Sequence, residues 1–381
     1  MKDQNYKSLI ATFLKCNANQ VFLYWKGRVA LFAILKAMGI KEGDEVILPA
    51  FTCVVVPNAI LYLKAKPVYL DISADNYNMN IDLLEESITN KTKVILCQNT
   101  FGLSSNIEEI LQIAKRYKLY TIEDCTHGFG GEYNGKPNGS YCDAAFYSTQ
   151  WNKPFSTGIG GFLLVNNDKL INPVRLLENK KVTPTLGEKI TLSSLLLLNK
   201  YLINRFTYWT LLKLYRFLSK RNWIIGSNRG EELSEVNMPY NFFKGITSVQ
   251  INAGIKELSL VHSVNILRRK NSKDYTKFLI SKNKTYVDEN LVQNHLFLKY
   301  PLMVRDRELI FHLAEKEKIN LGDWFLSPLH PVTENLEQWG LKRELFPVAD
   351  QISKKILNLP TDVSNNNRVI NFLKKHIELI E

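Results

Sequence analysis

The chain has no CxxC pair. Its five cysteines, Cys16, Cys53, Cys97, Cys125 and Cys142, are an odd number scattered through 381 residues, so neither a disulfide framework nor a zinc site is indicated. Reduced thiols suit a cytoplasmic protein, and that location is the expectation. No apolar run reaches the ~18 residues of a membrane span. The opening residues MKDQNYKSLIATFLKCN lack a long apolar core and a small-residue cleavage site, which predicts no secretory signal. Internal repeats and low-complexity tracts are missing too. Negative charge is in short supply: the net charge is +12. Between Lys180 and Asn222, nine Lys or Arg stand against one Glu, a local +8, so two-thirds of the excess lies in one segment. The remainder is only mildly basic, so the overall charge is no argument for nucleic acid, and none is expected as a partner.

What is present is an alternation of helical and strand patterns. A chain of this length suggests two domains. GRVALFAILKAM, closed by Gly39, predicts a buried helix with a glycine cap. EVILPA and KPVYLDI predict strands, with TCVVVPNAILYLKA as a helix between them, Pro57 falling in an early turn. IDLLEESI predicts a helix and KVILCQNT a strand. Asn106 and Glu109 resemble a capping box opening IEEILQIAKRY. LYTIEDC, AAFYST and GGFLLVNN predict further strands. Strands separated by helices imply parallel pairing, so residues 1–245 are expected to form a large α/β domain around a mostly parallel sheet. Residues 246–381 (a long helix from ITSVQINAGIKEL onward, the strand LFLKYPLMV, the helix DRELIFHLAEKEK and a closing helix RVINFLKKHIELI) predict a smaller α+β domain. Between them, at about 180–235, lies a basic helical insertion. Within its residues 190–223, Lys200, Asn204, Thr207, Thr210, Lys213, Arg216 and Lys220 recur every three or four positions. This stripe fits either a helix packed on protein or a peripheral contact with an anionic membrane.

Ligands of such sheets bind beyond the carboxyl ends of the strands, where Asn99, Asp124 and Ser148 fall. Lys153 follows five residues after Ser148, in apolar company and just ahead of a glycine cluster. These residues match the needs of pyridoxal phosphate. Lys153 can form the Schiff base, Asp124 can face the pyridine nitrogen, and His127 can reach the phenolate side. Gly27, Arg28 and Val29 open a helix whose N–H groups, with the Ser148 hydroxyl, can face the phosphate. Taken singly, Asp124 is equally a helix cap, Gly27 an ordinary glycine and His127 a loop residue. Their joint placement on one sheet edge points to the cofactor.

The segments GRVALFAILKAMGIKEGDEVILPAFTCVVVPNAI, KPVYLDISADNYNMNIDLLEESI, IEDCTHGFGGEYNGKPNGSYCDAAFYS, KPFSTGIGG, SPLHP and NLP, in this order, resemble the DegT/DnrJ/EryC1/StrS family of sugar aminotransferases. The resemblance runs from about residue 20 to the C-terminus, apart from the insertion. It implies fold type I of the pyridoxal-phosphate-dependent transferases, a sheet of the seven-stranded type, and a homodimer. It implies transfer of an amino group, typically from L-glutamate, to a keto group of a nucleotide-linked sugar, as in surface-polysaccharide (O-antigen) or secondary-metabolite biosynthesis. The family's cofactor lysine falls on Lys153, its pyridine-nitrogen aspartate on Asp124, its phosphate-binding serine on Ser148 and its backbone cradle on Arg28 and Val29. The chain departs from the pattern at several positions. Arg28 stands where a hydroxyl or small residue is usual, and an arginine there can itself pair with the phosphate. His127 replaces a glutamine, and Cys53 replaces the aromatic that stacks on the ring. Gly158-Ile159-Gly160-Gly161 replaces GEGG. Asn241 corresponds to the asparagine that reaches the neighbouring subunit's phosphate, with longer spacing to Gln250. His330 matches a substrate-side histidine. Three alternatives stay open: a ketosugar dehydratase, in which a histidine replaces the lysine, a cyclitol aminotransferase, and a non-catalytic binding protein on the same fold.

Overall fold

A computed structural model describes residues 2–204, 206–221 and 231–381. Numbered along the chain, the strands of the first half are β1 (Val21–Tyr24), β2 (Glu45–Pro49), β3 (Thr52–Cys53), β4 (Lys66–Leu70), β5 (Thr92–Gln98), β6 (Tyr120–Asp124), β7 (Glu132–Tyr133), β8 (Lys136–Pro137), β9 (Ala144–Ser148) and β10 (Gly161–Val165). Seven of them form the central sheet, in the order β1-β10-β9-β6-β5-β2-β4. Pairing from β9 through β6, β5 and β2 to β4 is parallel. Such strands are covered on both faces, which is why KVILCQ and EVILP are buried almost without a break. β10 runs antiparallel to both β9 and β1. No crossover helix separates β9 from β10, so the chain turns back on itself, and the turn carries Lys153.

The helices of this half are α1 (Lys2–Leu14), α2 (Gly27–Ala37), α3 (Val55–Leu61), α4 (Ile107–Tyr117), α5 (Asp168–Glu178), α6 (Leu186–Leu202), α7 (Tyr208–Lys220) and the one-turn α8 (Glu231–Ser234). α2 buries all but its last two residues, and each large apolar side chain among them contributes roughly 1.5–3 kcal/mol by leaving water. Gly39 follows with a left-handed φ of 81°. Asn106 caps α4 differently from the expected box: its Nδ2 donates to the Glu109 carboxylate at 3.0 Å, with no bond from the helix N–H groups to its side chain.

Three expected helices before residue 246 differ. IDLLEESI is two 3₁₀ turns, Ile81–Leu83 and Glu85–Ser87, the first capped by Asn80. TCVVVPNAILYLKA begins as β3, because Thr52 and Cys53 pair in parallel with Leu329 and His330. The basic stretch 190–223 is not continuous. The Asn204 side chain accepts from the N–H groups of Phe206 and Thr207, which caps a new helix and splits the stretch into α6 and α7. The side chains of Arg216 and Lys220, and residues 222–223, lie outside the described residues.

In the last third, the long helix expected from residue 246 divides into α9 (Ser248–Leu258) and α10 (Val261–Ser281). β11 (Lys299–Met303) pairs antiparallel with β13 (Ile356–Pro360), β12 being Leu329–His330. α10 rests on that ladder through Tyr275, whose hydroxyl donates to the Pro360 carbonyl at 2.8 Å.

Candidate active site

The parallel strands end on one edge of the sheet, and a cavity of about 1170 Å³ opens there. Asp124 closes β6 and Ser148 closes β9, and both line it, as do Gly27, Arg28, Cys53, His127, Lys153 and His330. Adjacent strand residues face opposite ways. Asp124 therefore faces the cavity while Glu123 turns to the other side, where Asn99 Nδ2 (2.9 Å) and the Gly139 N–H (2.8 Å) hold it. Asn99 is thereby drawn away from the cavity.

Lys153 sits in the β9–β10 turn, its Nζ 4.3 Å from the centroid of the Trp324 ring. Burial pushes its amine down to about 8. The Cys53 thiol and Asp124 pull it back up, while Lys299 and Arg28 push it further down. The turn is fixed from behind. Gln250 Nε2 donates to the carbonyls of Ile159 (2.5 Å) and Trp25 (3.3 Å), and Thr149 and Thr157 share a hydroxyl bond of 2.7 Å. Gly160 is obligatory here, since a Cβ would stand 2.2 Å from the Thr149 hydroxyl.

Asp124 is buried, which raises its carboxyl above the usual range. Hydrogen bonds from the Thr126 side chain and backbone N–H (2.9 Å) and the Lys153 charge oppose that rise. A cationic N–H donor placed before this carboxylate would relieve the desolvation. His127 is buried as well. Burial, then the charge of Lys153, holds it well below the usual imidazole range, so the ring is neutral at pH 7. Its Nδ1 accepts from the Phe101 N–H at 3.2 Å. A neutral ring that accepts at Nδ1 carries its proton on Nε2, and that N–H is a hydrogen-bond donor.

The start of α2 abuts the end of β9. A Cβ on Gly27 would meet the Tyr147 carbonyl at 2.9 Å and the Ser148 Cβ at 3.1 Å. Glycine thus lets the N-terminus of the helix pack directly against Ser148. An anion is favoured at such a place. We expect Gly27→Ala to cost about 1–3 kcal/mol of stability through overpacking and to weaken phosphate-bearing ligands. Denaturant unfolding and titration with pyridoxal phosphate measure the two effects.

The remaining expected residues fall as follows. The Arg28 guanidinium is engaged by Glu232 of α8 at 2.6 Å, with both side chains at most 3% exposed. An arginine aimed only at an anion is thus not what the fold builds. The Cys53 thiol is raised by burial, opposed by a backbone hydrogen bond at Val55 and by the charges of Arg28 and Lys153. His330 pairs across from Cys53, and its Nδ1 accepts from the Leu326 N–H at 3.2 Å. Asn241 is exposed, has a left-handed φ of 56° and is not in the cavity wall. Trp324 is the residue that the sequence reading missed. It stacks on His127 with centroids 4.5 Å apart and planes 5° apart. It lies 171 positions after Lys153 with no motif around it. Among the described residues, no group of three His, Cys, Asp or Glu can hold a metal ion.

Comparison with known proteins gives three kinds of match. The profile of the DegT/DnrJ/EryC1/StrS aminotransferase family matches residues 5–194. GDP-perosamine synthase of Escherichia coli O157:H7 is 42% identical over 145 residues, 38% of this chain and 40% of that protein. An uncharacterised protein of Methanocaldococcus jannaschii is 27% identical over 334 residues, 86% of this chain and 76% of that one. UDP-2-acetamido-2-deoxy-3-oxo-D-glucuronate aminotransferase of Pseudomonas aeruginosa is 37% identical over 150 residues, 39% of this chain and 42% of that protein. The matched stretch thus spans less than half the length of the two named enzymes. Among solved structures, a putative sugar aminotransferase of Streptococcus pneumoniae in its PMP form superposes with a TM-score of 0.76 at 19% identity, over 99% of this chain and 92% of that one. At that identity the likeness shows the fold.

Proposed function

The chain belongs to the DegT/DnrJ/EryC1/StrS aminotransferase family, and on that premise we propose that it is a pyridoxal-phosphate-dependent aminotransferase acting on a keto group of a nucleotide-linked sugar. L-Glutamate is the amino donor in this reading, the enzyme is a cytoplasmic homodimer, and its product serves surface-polysaccharide biosynthesis, O-antigen included. The observation that supports the reading is one cavity that brings together the Lys153 amine, the buried Asp124 carboxylate and the neutral His127.

Four features fit the cofactor. Asp124 would hold the pyridine nitrogen, a cation before a carboxylate in need of one. The Nε2–H of His127 would donate to the phenolate side. Ser148 and the start of α2 at Gly27, Arg28 and Val29, which Gly27 lets abut the end of β9, would hold the phosphate. Lys153 would bind the carbonyl carbon. When bound, the cofactor supplies an electron sink for the bond broken at the substrate's α-carbon. Lys153 Nζ would be placed to take up a proton at the substrate's α-carbon and to hold it as general acid. Its lowered basicity leaves a large share of the amine uncharged near pH 8, as both nucleophile and base must be. Cys53 leaves one ring face without an aromatic partner from its own segment. His330 and Trp324, both in the cavity lining, would face the substrate, and Asn241 would serve the partner subunit's phosphate.

The protein loaded with pyridoxal phosphate is expected to be yellow, and glutamate should shift its absorbance. A keto-sugar nucleotide should restore the first spectrum with one amino sugar formed per glutamate used. Failure to take up the cofactor, or uptake with no response to any amino donor, would count against the reading.

A further inference from the structure

Among the described residues, exposed large apolar side chains cluster on the outward side of the α6–α7 hairpin. On α6, Leu186, Ile190, Leu197 and Tyr201 are 72%, 58%, 57% and 67% exposed. At 3.6 residues per turn they fall within an arc of about 60°. Lys189 and Lys200 flank that arc on one side. Phe206, Leu214 and Phe217, at 58%, 49% and 49%, extend the apolar surface across the turn and along α7. The opposite side of the same helices is the cavity wall, formed by Leu195, Leu198, Leu202, Leu211 and Leu212. Leu198, Leu202 and Leu214 belong to both sides, about half exposed and in the cavity lining. No helix among the described residues is long and apolar enough to cross a membrane, and α6 has 17 residues.

Two occupants could cover such a face, and charge decides between them. In a two-fold pair of copies the same patch meets itself. Lys189 and Lys200, which flank the apolar arc, would then face their own kind. An anionic lipid surface complements them instead, and an apolar stripe flanked by lysines is what such a surface accepts. We propose that the α6–α7 hairpin is a docking surface for an anionic lipid bilayer. Ile190, Leu197 and Tyr201 enter the acyl boundary, Lys189 and Lys200 lie at the headgroups, and the cavity mouth is held at the bilayer surface. Docking requires neither the cofactor nor turnover.

Flotation of the full chain with vesicles tests this. With phosphatidylglycerol mixed into phosphatidylcholine, the protein should rise with the vesicles at low salt. It should be left behind by phosphatidylcholine alone, and binding should fall as salt rises. Leu197→Glu combined with Tyr201→Glu alters two exposed positions outside the cavity wall. It should reduce flotation at least about tenfold with an unchanged melting temperature. Absence of flotation on anionic vesicles would overturn the proposal. So would a folded double variant that floats like the parent. Light scattering that showed the double substitution splitting a dimer into monomers would assign the face to a second copy and overturn it as well.

Discussion

Lys153→Ala is expected to lower amino transfer by at least about 10⁴-fold and to remove the visible absorbance of the cofactor-loaded protein. General acid–base catalysis alone contributes roughly 10²–10⁴-fold, and the same amine is also the attachment point of the cofactor. Stopped assays with glutamate and a spectrum of the loaded protein measure both effects. A variant that still transfers amino groups at a tenth of the parent rate would end the assignment. The pH profile provides a second readout. Burial takes the lysine from 10.5 down to about 8, and the uncharged amine is the active form. The rate limb due to Lys153 should therefore rise with pH up to about 8 and level off above it, rather than climb towards 10. His127, held below its usual range, should add no limb between pH 7 and 9.

Asp124, Ser148 and Lys153 are legible in the sequence because local patterns place them. Each sits at or just past the carboxyl end of an apolar strand, and the order of parallel strands puts those ends on one edge. Six of the seven strands, all but β1, are legible for the same reason: a strand covered on both faces is a short unbroken apolar run. What escapes the sequence is set by distant partners. IDLLEESI has a helix's composition, yet the Asn80 side chain caps it into a tighter 3₁₀ turn. β3 is a strand only because residues 329 and 330 lie beside it. Trp324 reaches His127 from the far end of the chain. The polar stripe of residues 200–220 looks continuous on paper, and a single asparagine at 204 interrupts it. Arg28 looks like an oddity in a phosphate cradle until Glu232, 204 residues later, is found against it.

That pair carries the other large expected effect. Arg28 and Glu232 meet at 2.6 Å with side chains 3% and 2% exposed. An exposed pair would contribute at most about 1 kcal/mol. Here water is excluded, and removal of one partner leaves the other charge buried without it, at a cost of roughly 3–5 kcal/mol. Glu232→Ala should lower stability by that amount in denaturant unfolding. Arg28→Met with Glu232→Leu removes both charges and fills the space, and should recover most of the loss, since a buried ion pair is often replaceable by apolar side chains of similar volume. A single substitution that costs under 1 kcal/mol would show that the site is wet. The surroundings make the cost local to the cavity. The Glu232 carbonyl accepts from Asn58 Nδ2 at 3.0 Å, and Asn58 Oδ1 accepts from Trp339 Nε1 at 2.6 Å. The ion pair thus fastens the chain emerging from the hairpin region to α3 and to the first turn of α2. Glu232→Ala should therefore weaken cofactor binding as well as stability. The apolar double variant should regain stability first and keep a deficit in phosphate affinity, because the cation beside the α2 N-terminus is gone. A double variant that regained both in full would assign Arg28 a purely structural part.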